Sequence, residues 1–117
     1  MQTMTQPPKD YATCPVEATL KLIQGKWKIV IMFRLNDEPR RFNELQRLLP
    51  NVTQRMLTNQ PRELEADGLV HREVFPEVPP KVIYSLTELA HSLMPLMLSI
   101  KDWGREYLDA QGERCDI

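Results

Sequence analysis

Hydrophobic residues recur every three or four positions through most of the chain, which is the spacing of helices with one buried face. Start and stop signals divide this pattern. Pro15 and Glu17 suit a first helical turn, Thr53 suits an N-cap, and Gly25 and Gly68 suit helix ends. The predicted helices are residues 15–24, 26–35, 42–49, 54–67 and a last stretch that begins near residue 86. The second helix is apolar on nearly every side, so we expect the others to surround it.

Two short stretches favour β-strands instead. Residues 69–75 and 81–86 are rich in β-branched and aromatic residues, and the sequence PEVPP between them, at 76–80, is typical of a loop. A short helix, a tight turn, a longer helix and a hairpin follow one another in the order of a winged helix-turn-helix. The sequence therefore predicts a mainly α fold (α+β class) with a small β-hairpin wing.

The last helical segment carries the most regular apolar pattern, with residues spaced alternately three and four apart as in a coiled coil. This seam consists of Leu89, Leu93, Leu96, Ile100, Trp103 and Tyr107. A domain of this size has too small a core to cover such a stripe, so we expect a homodimer formed through the terminal helices. The alternative is a helix that folds back on its own domain. Pro95 lies inside the run and is expected to kink it or split it in two.

Length and composition limit the classes of protein. The chain has 117 residues, 42% of them hydrophobic, which suits one globular domain. We expect this domain at 14–110, between a flexible arm at 1–13 and a tail at 111–117. No apolar run reaches the roughly 18 residues of a membrane-spanning helix. The polar beginning lacks the apolar core of a secretion signal, so a cytoplasmic protein without membrane contact is expected.

Charge is unevenly distributed along the chain. The net charge is −1, yet residues 40–62 hold five arginines and a single acid, whereas residues 88–117 hold six acids and three basic residues. A basic middle segment favours contact with an anion such as DNA. The alternative is chance clustering on a solvated surface.

The longer helix of the predicted helix-turn-helix is the candidate recognition helix. Its apolar side is expected at Leu57, Pro61 and Leu64, which leaves the opposite side for base edges in the major groove. The candidate readout residues are Gln54, Arg55, Thr58, Asn59 and Arg62. Arg pairs with guanine, Gln and Asn pair with adenine, and Thr contacts phosphate or a thymine methyl. The alternative is an ordinary polar helix face. Because Pro61 is interior, a kink is expected near residues 57–61.

A second set of residues is placed to contact the DNA backbone. Thr53 would present its hydroxyl and the first amides of the helix to a phosphate, and the other members carry positive charge before the helix-turn-helix or on the wing. The candidates are Arg40, Arg41, Thr53, Arg72 and Lys81. Solvated surface charge is the alternative for the four basic residues, most of all for Arg72, because Glu73 or another acid could neutralise it.

Several ordered segments resemble one protein family. They are CPVE at 14–17, GKW at 25–27, RRFNEL at 40–45, LTNQPRELEADGLV at 57–70, FPEVPPKV at 75–82 and YSLT at 84–87. Together they are similar to the HxlR-type transcriptional regulators, small winged-helix proteins of bacteria related to the MarR class. The resemblance implies a homodimer that binds a short, roughly palindromic operator in double-stranded DNA and regulates transcription. The chain departs from the family at Pro61, where Leu is usual.

Cys14 is a candidate redox sensor. It stands at a predicted helix start, where the helix dipole favours the thiolate form. The resemblance implies that a cysteine here can sense oxidants or electrophiles, and Cys115 in the tail is a second thiol. The favoured interpretation is a buried cysteine that packs under the first helix and does not react. The sequence does not identify an effector, either a small molecule or an electrophile.

No pattern in the sequence supports an enzyme. His71 and His91 have no ligand-spaced partner, and no phosphate-binding loop or catalytic motif occurs. No metal and no cofactor are therefore expected. The alternative to a DNA-binding regulator is a winged helix that serves only protein interaction, which the slightly negative net charge and Pro61 leave open.

Overall fold

The computed structural model of the chain describes residues 14–112, so the arm predicted at 1–13 and the tail residues 113–117 with Cys115 lie outside the described residues. Its elements are α1 (Pro15–Ile23), α2 (Lys28–Asp37), β1 (Arg40–Arg41), α3 (Phe42–Leu48), α4 (Gln54–Ala66), β2 (Val70–Phe75), β3 (Lys81–Leu86) and α5 (Glu88–Ala110). Their order matches the winged helix-turn-helix that the hydrophobic pattern predicts.

The sheet is antiparallel and has three strands in the order β1-β3-β2. β2 and β3 form the predicted hairpin, with Val70 opposite Leu86. β1 pairs Arg40 with Tyr84 and thereby joins the start of α3 to the wing. The sequence pattern does not predict β1, because two residues are too few to show an alternation of apolar and polar positions.

α2 lies at the centre of the fold, as its all-round apolar character predicts. It contacts α3, α4, α5 and β3, and its Ile31 and Met32 are fully buried. The helix begins at Lys28 and not at residue 26, because residues 25–27 form a bend and a turn. The rest of the core comes from buried apolar residues of α3, α4, α5, the sheet and the segments that connect them, such as Val52 and Leu69.

The junction between the hairpin and α5 is held by a threonine. The Thr87 hydroxyl caps α5 by accepting a hydrogen bond from the Ala90 amide at 3.3 Å, and it donates one to the Gly68 carbonyl at 2.6 Å. Gly68 has a φ of 79°, in the left-handed region that glycine enters without strain. The end of α4 and the start of α5 are therefore tied to each other.

Pro95 lies within α5 without dividing it. The helix is continuous over Glu88–Ala110. A proline leaves the carbonyl four residues earlier, here that of His91, without its helical donor. Both His91 and Pro95 are exposed, so water can hydrate this carbonyl and the helix continues. Of the two outcomes predicted at this position, division into two helices does not occur.

Candidate nucleic-acid interface

α3, the turn at residues 49–53 and α4 form the helix-turn-helix. Val52 is buried and anchors the turn, whereas the adjacent Thr53 is exposed. The Thr53 side-chain oxygen accepts a hydrogen bond from the Met56 amide at 3.1 Å, so this residue is the N-cap of α4, as predicted. The first turn of α4 is therefore open to solvent, and its amide dipoles favour an anion at this end.

The exposed side of α4 carries all the residues that the sequence assigns to base readout. Leu57, Pro61 and Leu64 are buried on the opposite side, as predicted. The exposed readout residues are Gln54, Arg55, Thr58, Asn59 and Arg62. The helix is continuous through Pro61 over Gln54–Ala66. One continuous helix therefore presents two guanidinium groups, two amides and a hydroxyl to solvent.

Arg40 and Arg41 differ in their surroundings. The Arg41 side chain is exposed, and the Arg41 backbone amide donates a hydrogen bond to the Glu44 carboxylate at 2.8 Å. Arg40 is only 17% exposed, and its guanidinium lies 3.4 Å from Glu38 and 3.9 Å from Asp37. Its Nε also donates a hydrogen bond to the Arg34 carbonyl at 3.3 Å. Arg40 therefore holds the turn between α2 and β1, and Arg41 is the one of the two that solvent reaches freely.

Arg72 of the wing is paired with a residue of the candidate recognition helix. Its Nε donates to the Glu65 carboxylate at 3.2 Å, and the same carboxylate lies 3.8 Å from Arg62 Nε. The acid that neutralises Arg72 thus comes from α4, whereas the sequence pointed first to Glu73. The sequence reasoning missed Glu65 as a functional candidate, although its position three residues after Arg62 on a helix was a signal for an ion pair. This cluster joins α4 to β2.

Lys81 begins β3 on the wing. Its ammonium lies 5.1 Å from the centroid of the Phe75 ring on the paired strand. The side chain is half-buried, so the ring supports the stem while part of the residue stays accessible. Beyond it, Val78 at the tip of the hairpin is fully exposed.

The apolar seam of α5 is largely uncovered within one chain. Five of its six residues are exposed, and Leu93 alone is half-buried against the core. The exposed members are Leu89, Leu96, Ile100, Trp103 and Tyr107. The rings of Trp103 and Tyr107 stack with their centroids 5.5 Å apart. As far as residues 14–112 show, the helix does not fold its whole stripe onto its own domain, so the alternative of a helix folded back on that domain is wrong for most of the seam.

α1 extends this apolar surface. Val16 is 63% exposed and Leu20 is 50% exposed, and they share an apolar groove with Leu96 and Ile100. Large apolar side chains gathered on adjoining helices form the kind of patch that marks an interaction surface.

Cys14 immediately precedes α1 and is exposed. Its carbonyl accepts the first helical hydrogen bond, from the Ala18 amide at 2.9 Å. The expectation of a cysteine buried under α1 is wrong, because among residues 14–112 of one chain the Cys14 side chain is exposed. Its predicted position at a helix start is correct.

Comparisons with known proteins agree with this geometry. Residues 22–112 match the model of the HxlR-like helix-turn-helix family. The HTH-type transcriptional regulator YdeP of Bacillus subtilis is 56% identical over 100 residues, which cover 86% of this chain and 78% of YdeP. The redox regulator HypR in its reduced form is 54% identical, with a TM-score of 0.79 over 85% of this chain and 98% of HypR. Its oxidized form is 57% identical, with a TM-score of 0.74 over 80% of this chain and 96% of that structure.

The chain belongs to the HxlR-like helix-turn-helix family. It is therefore a transcriptional regulator with a DNA-binding helix-turn-helix, and it is not an enzyme. The family, the winged fold and the class of function inferred from the sequence are confirmed. Within this HxlR-like chain, α3 and α4 are the helix-turn-helix pair, and β2 and β3 are the wing. None of the described helices is long and apolar enough to cross a membrane.

Tyr84 of this HxlR-like domain lies where the wing meets α4. It is buried on β3 and pairs across the sheet with Arg72. Burial raises the pKa of its hydroxyl above the ordinary value of 10.0. The Arg72 and Arg62 guanidinium groups oppose this increase in the pKa, and the Glu65 carboxylate adds to it.

This raised pKa predicts a loss of stability at high pH. The unfolded chain ionises Tyr84 near its ordinary pKa of 10.0, whereas the folded chain keeps it protonated to higher pH. Below about pH 10, Tyr84 should therefore not change the free energy of unfolding. As the pH rises above 10, ionisation of Tyr84 in the unfolded chain should lower the free energy of unfolding. Urea unfolding at a series of pH values would measure the decline, which should be shallower in Tyr84→Phe. An equal decline in both proteins would contradict the prediction.

Proposed function

We propose that this chain acts as a homodimer that binds a short palindromic operator in double-stranded DNA and so regulates transcription. The observation that carries the proposal is the exposed side of α4, where every candidate readout residue is accessible while the opposite side is fixed in the core. Because an α-helix fits the major groove of B-DNA, this side of α4 would meet base edges directly. A regulator of transcription acts where DNA is, so we place it in the cytoplasm.

The roles within the interface follow from side-chain chemistry. Arg55 and Arg62 would pair with guanine, Gln54 and Asn59 would pair with adenine, and Thr58 would meet a phosphate or a thymine methyl. Thr53 and the first amides of α4 would bind a phosphate, and Arg41 and Lys81 would bind flanking phosphates. Arg40 and Arg72 remain part of the proposed backbone set. Both are paired with carboxylates, so their main contribution is to position structural elements: Arg40 positions β1, and Arg72 positions the wing.

A second copy of the chain is the proposed cover for the apolar surface of α1 and α5. Two chains related by a two-fold axis would bury the same surface of each chain, with every contact between two different residues occurring twice. The axis would place two copies of α4 in successive major grooves about 34 Å apart, one helical turn of DNA. A two-fold protein then requires a palindromic operator.

The test of the function is selection of duplexes by the wild-type protein from a random-sequence library, with reductant present. We expect a two-fold-symmetric consensus that binds far more tightly than a scrambled duplex in fluorescence anisotropy. We also expect the affinity to fall steeply with salt, because each phosphate contact releases counterions. Equal binding to both duplexes would contradict sequence-specific recognition. Absence of binding at low salt would favour the alternative, a winged helix that binds only proteins.

The same assay tests Arg55. Arg55→Ala should lower discrimination at one base pair of each half-site by about 1–3 kcal/mol, the usual contribution of a bidentate Arg–guanine contact. Arg47→Ala is the matched control, because Arg47 is an exposed arginine on α3. The control should leave the selected consensus unchanged. A wild-type consensus from Arg55→Ala would remove this residue from the readout set.

The dimer is tested by a charge placed on the seam. Ile100→Glu should give a monomer in sedimentation equilibrium, because dimerisation would bury an unpaired carboxylate. Leu98→Glu is the matched control: the two positions are 42% and 45% exposed, and Leu98 lies about half a turn around α5 from the seam. A dimer of Ile100→Glu as tight as that of Leu98→Glu would contradict the proposed interface.

A response to thiol oxidation is a further part of the proposal. Cys14 is exposed beside the proposed dimer surface, and the similar protein HypR is a redox regulator. An oxidant such as diamide, which takes two electrons and two protons from the Cys14 thiol and a second cysteine thiol of the dimer as they form a disulfide, should change operator affinity in the wild type. Cys14→Ser should not respond. Equal responses of both proteins would exclude Cys14 as the sensor.

A further inference from the structure

Lys28 is a charged residue in the first turn of α2, and it is buried. Its side chain is only 7% exposed, and its ammonium lies 3.0 Å from the Glu63 carboxylate of α4. A buried ammonium needs a partner, because removal from water without one is costly. Glu63 supplies that partner from the helix that carries the readout residues.

Gly25 makes room for this arrangement. A Cβ at this position would lie 2.7 Å from Cγ and Cδ of Lys28, closer than carbon atoms approach each other. The absence of a side chain therefore lets the Lys28 stem pass over the turn that precedes α2. The Lys28 amide also donates to the Gly25 carbonyl, at 3.2 Å. This close approach explains why a glycine stands in the GKW segment. Contact with DNA does not explain it, because the glycine is not among the DNA-facing residues.

A second bond joins the same two helices. α2 has no side chain of its own that caps its start, and the Trp27 amide donates instead to the Gln60 side-chain oxygen at 3.0 Å. Gln60 is half-buried, whereas Glu63 is exposed, with 58% of its side-chain surface accessible, and both lie at the edge of α4 between its buried and its readout sides. The start of α2 therefore contacts α4 at two points one turn apart.

These two points lie on either side of Pro61. The proline has no amide hydrogen, so the Leu57 carbonyl loses its helical donor at the middle of α4. A helix with one bond missing bends more easily at that place. The contacts at Gln60 and Glu63 limit such bending, because they fix the helix just before and after the proline.

We infer that Trp27, bonded to Gln60, and Lys28, paired with Glu63 in the space that Gly25 leaves, form an anchor that positions the recognition helix. The inference rests on the proposed function, because it assigns the anchor an effect on base readout. Lys28 is a positioning residue: it lies inside the protein and acts through Glu63 and α4. A rotation of α4 about its axis would separate the Lys28 ammonium from the Glu63 carboxylate. The ion pair therefore favours one orientation of the readout side over slightly rotated orientations.

Lys28→Met is the first test. Methionine keeps much of the stem and removes the buried charge, and the Glu63 carboxylate that it leaves without a partner is 58% exposed, so water can hydrate it. We expect the melting temperature to be unchanged or higher, whereas the ratio of scrambled to consensus dissociation constants should fall about tenfold, a typical coupling within one network. Binding to the scrambled duplex should change by less than about twofold, because a buried lysine makes no phosphate contact.

Two further variants make the result specific. Glu63→Gln removes the carboxylate but keeps a side-chain oxygen that can accept a hydrogen bond from the buried Lys28 ammonium, so we expect a lower melting temperature together with the same fall in the ratio. Lys21→Met removes an exposed lysine of α1 and controls for the change in net charge. The double variant Lys28→Met/Glu63→Gln should lose no more selectivity than the greater single loss, because both residues act through one contact.

The outcomes separate the anchor from the function on which it depends. A wild-type protein without a consensus contradicts the proposed function itself. A selective wild type, together with folded Lys28→Met and Glu63→Gln proteins of undiminished selectivity, overturns the anchor and leaves the function intact. A loss of selectivity in Lys21→Met equal to that in Lys28→Met would also overturn it, because net charge would then be the cause.

Discussion

The buried stripe of Leu57, Pro61 and Leu64 determines which residues of α4 can reach DNA. Burial of one such side chain contributes roughly 1.5–3 kcal/mol, a large part of the roughly 5–15 kcal/mol that stabilises a domain. A change in the stripe would therefore affect the whole fold before it altered the direction of the helix. Fine adjustment of that direction requires contacts beside the stripe, and Gln60 and Glu63 occupy such positions.

An element of this fold could be predicted from the sequence when it was long enough to show a periodic pattern of apolar and polar residues. α4 was predicted with its N-cap and its buried side, because Thr53 and the spacing of its apolar residues are local signals. β1 was missed because two residues show no period. The pairing of Arg72 with Glu65 and of Lys28 with Glu63 was missed for a different reason. Such contacts join separate elements, and no spacing along the chain indicates them.

For Cys14 and the seam of α5, burial cannot be predicted from a single chain, because a second subunit can cover the same surface. The sequence favoured a buried cysteine under the first helix and an apolar stripe too long for one domain. Both expectations concern the same surface, because α1 and α5 adjoin at Leu20 and Leu96. Within the described part of one chain, residues 14–112, this surface is open, and both the thiol and the stripe are exposed. A prediction of burial for a residue near such a stripe has to specify the subunit that covers it.

The net charge of −1 is compatible with DNA binding when the pairing of acids on α4 is considered. Charges further apart than about 8 Å are largely screened at physiological ionic strength, so the surface nearest the DNA matters most. α4 has two acids, and both are paired: Glu63 with Lys28, and Glu65 with Arg72. Arg55 and Arg62 then act beside partly neutralised carboxylates. A chain with little excess positive charge gains less from non-specific phosphate contact, which favours a high ratio of specific to non-specific affinity.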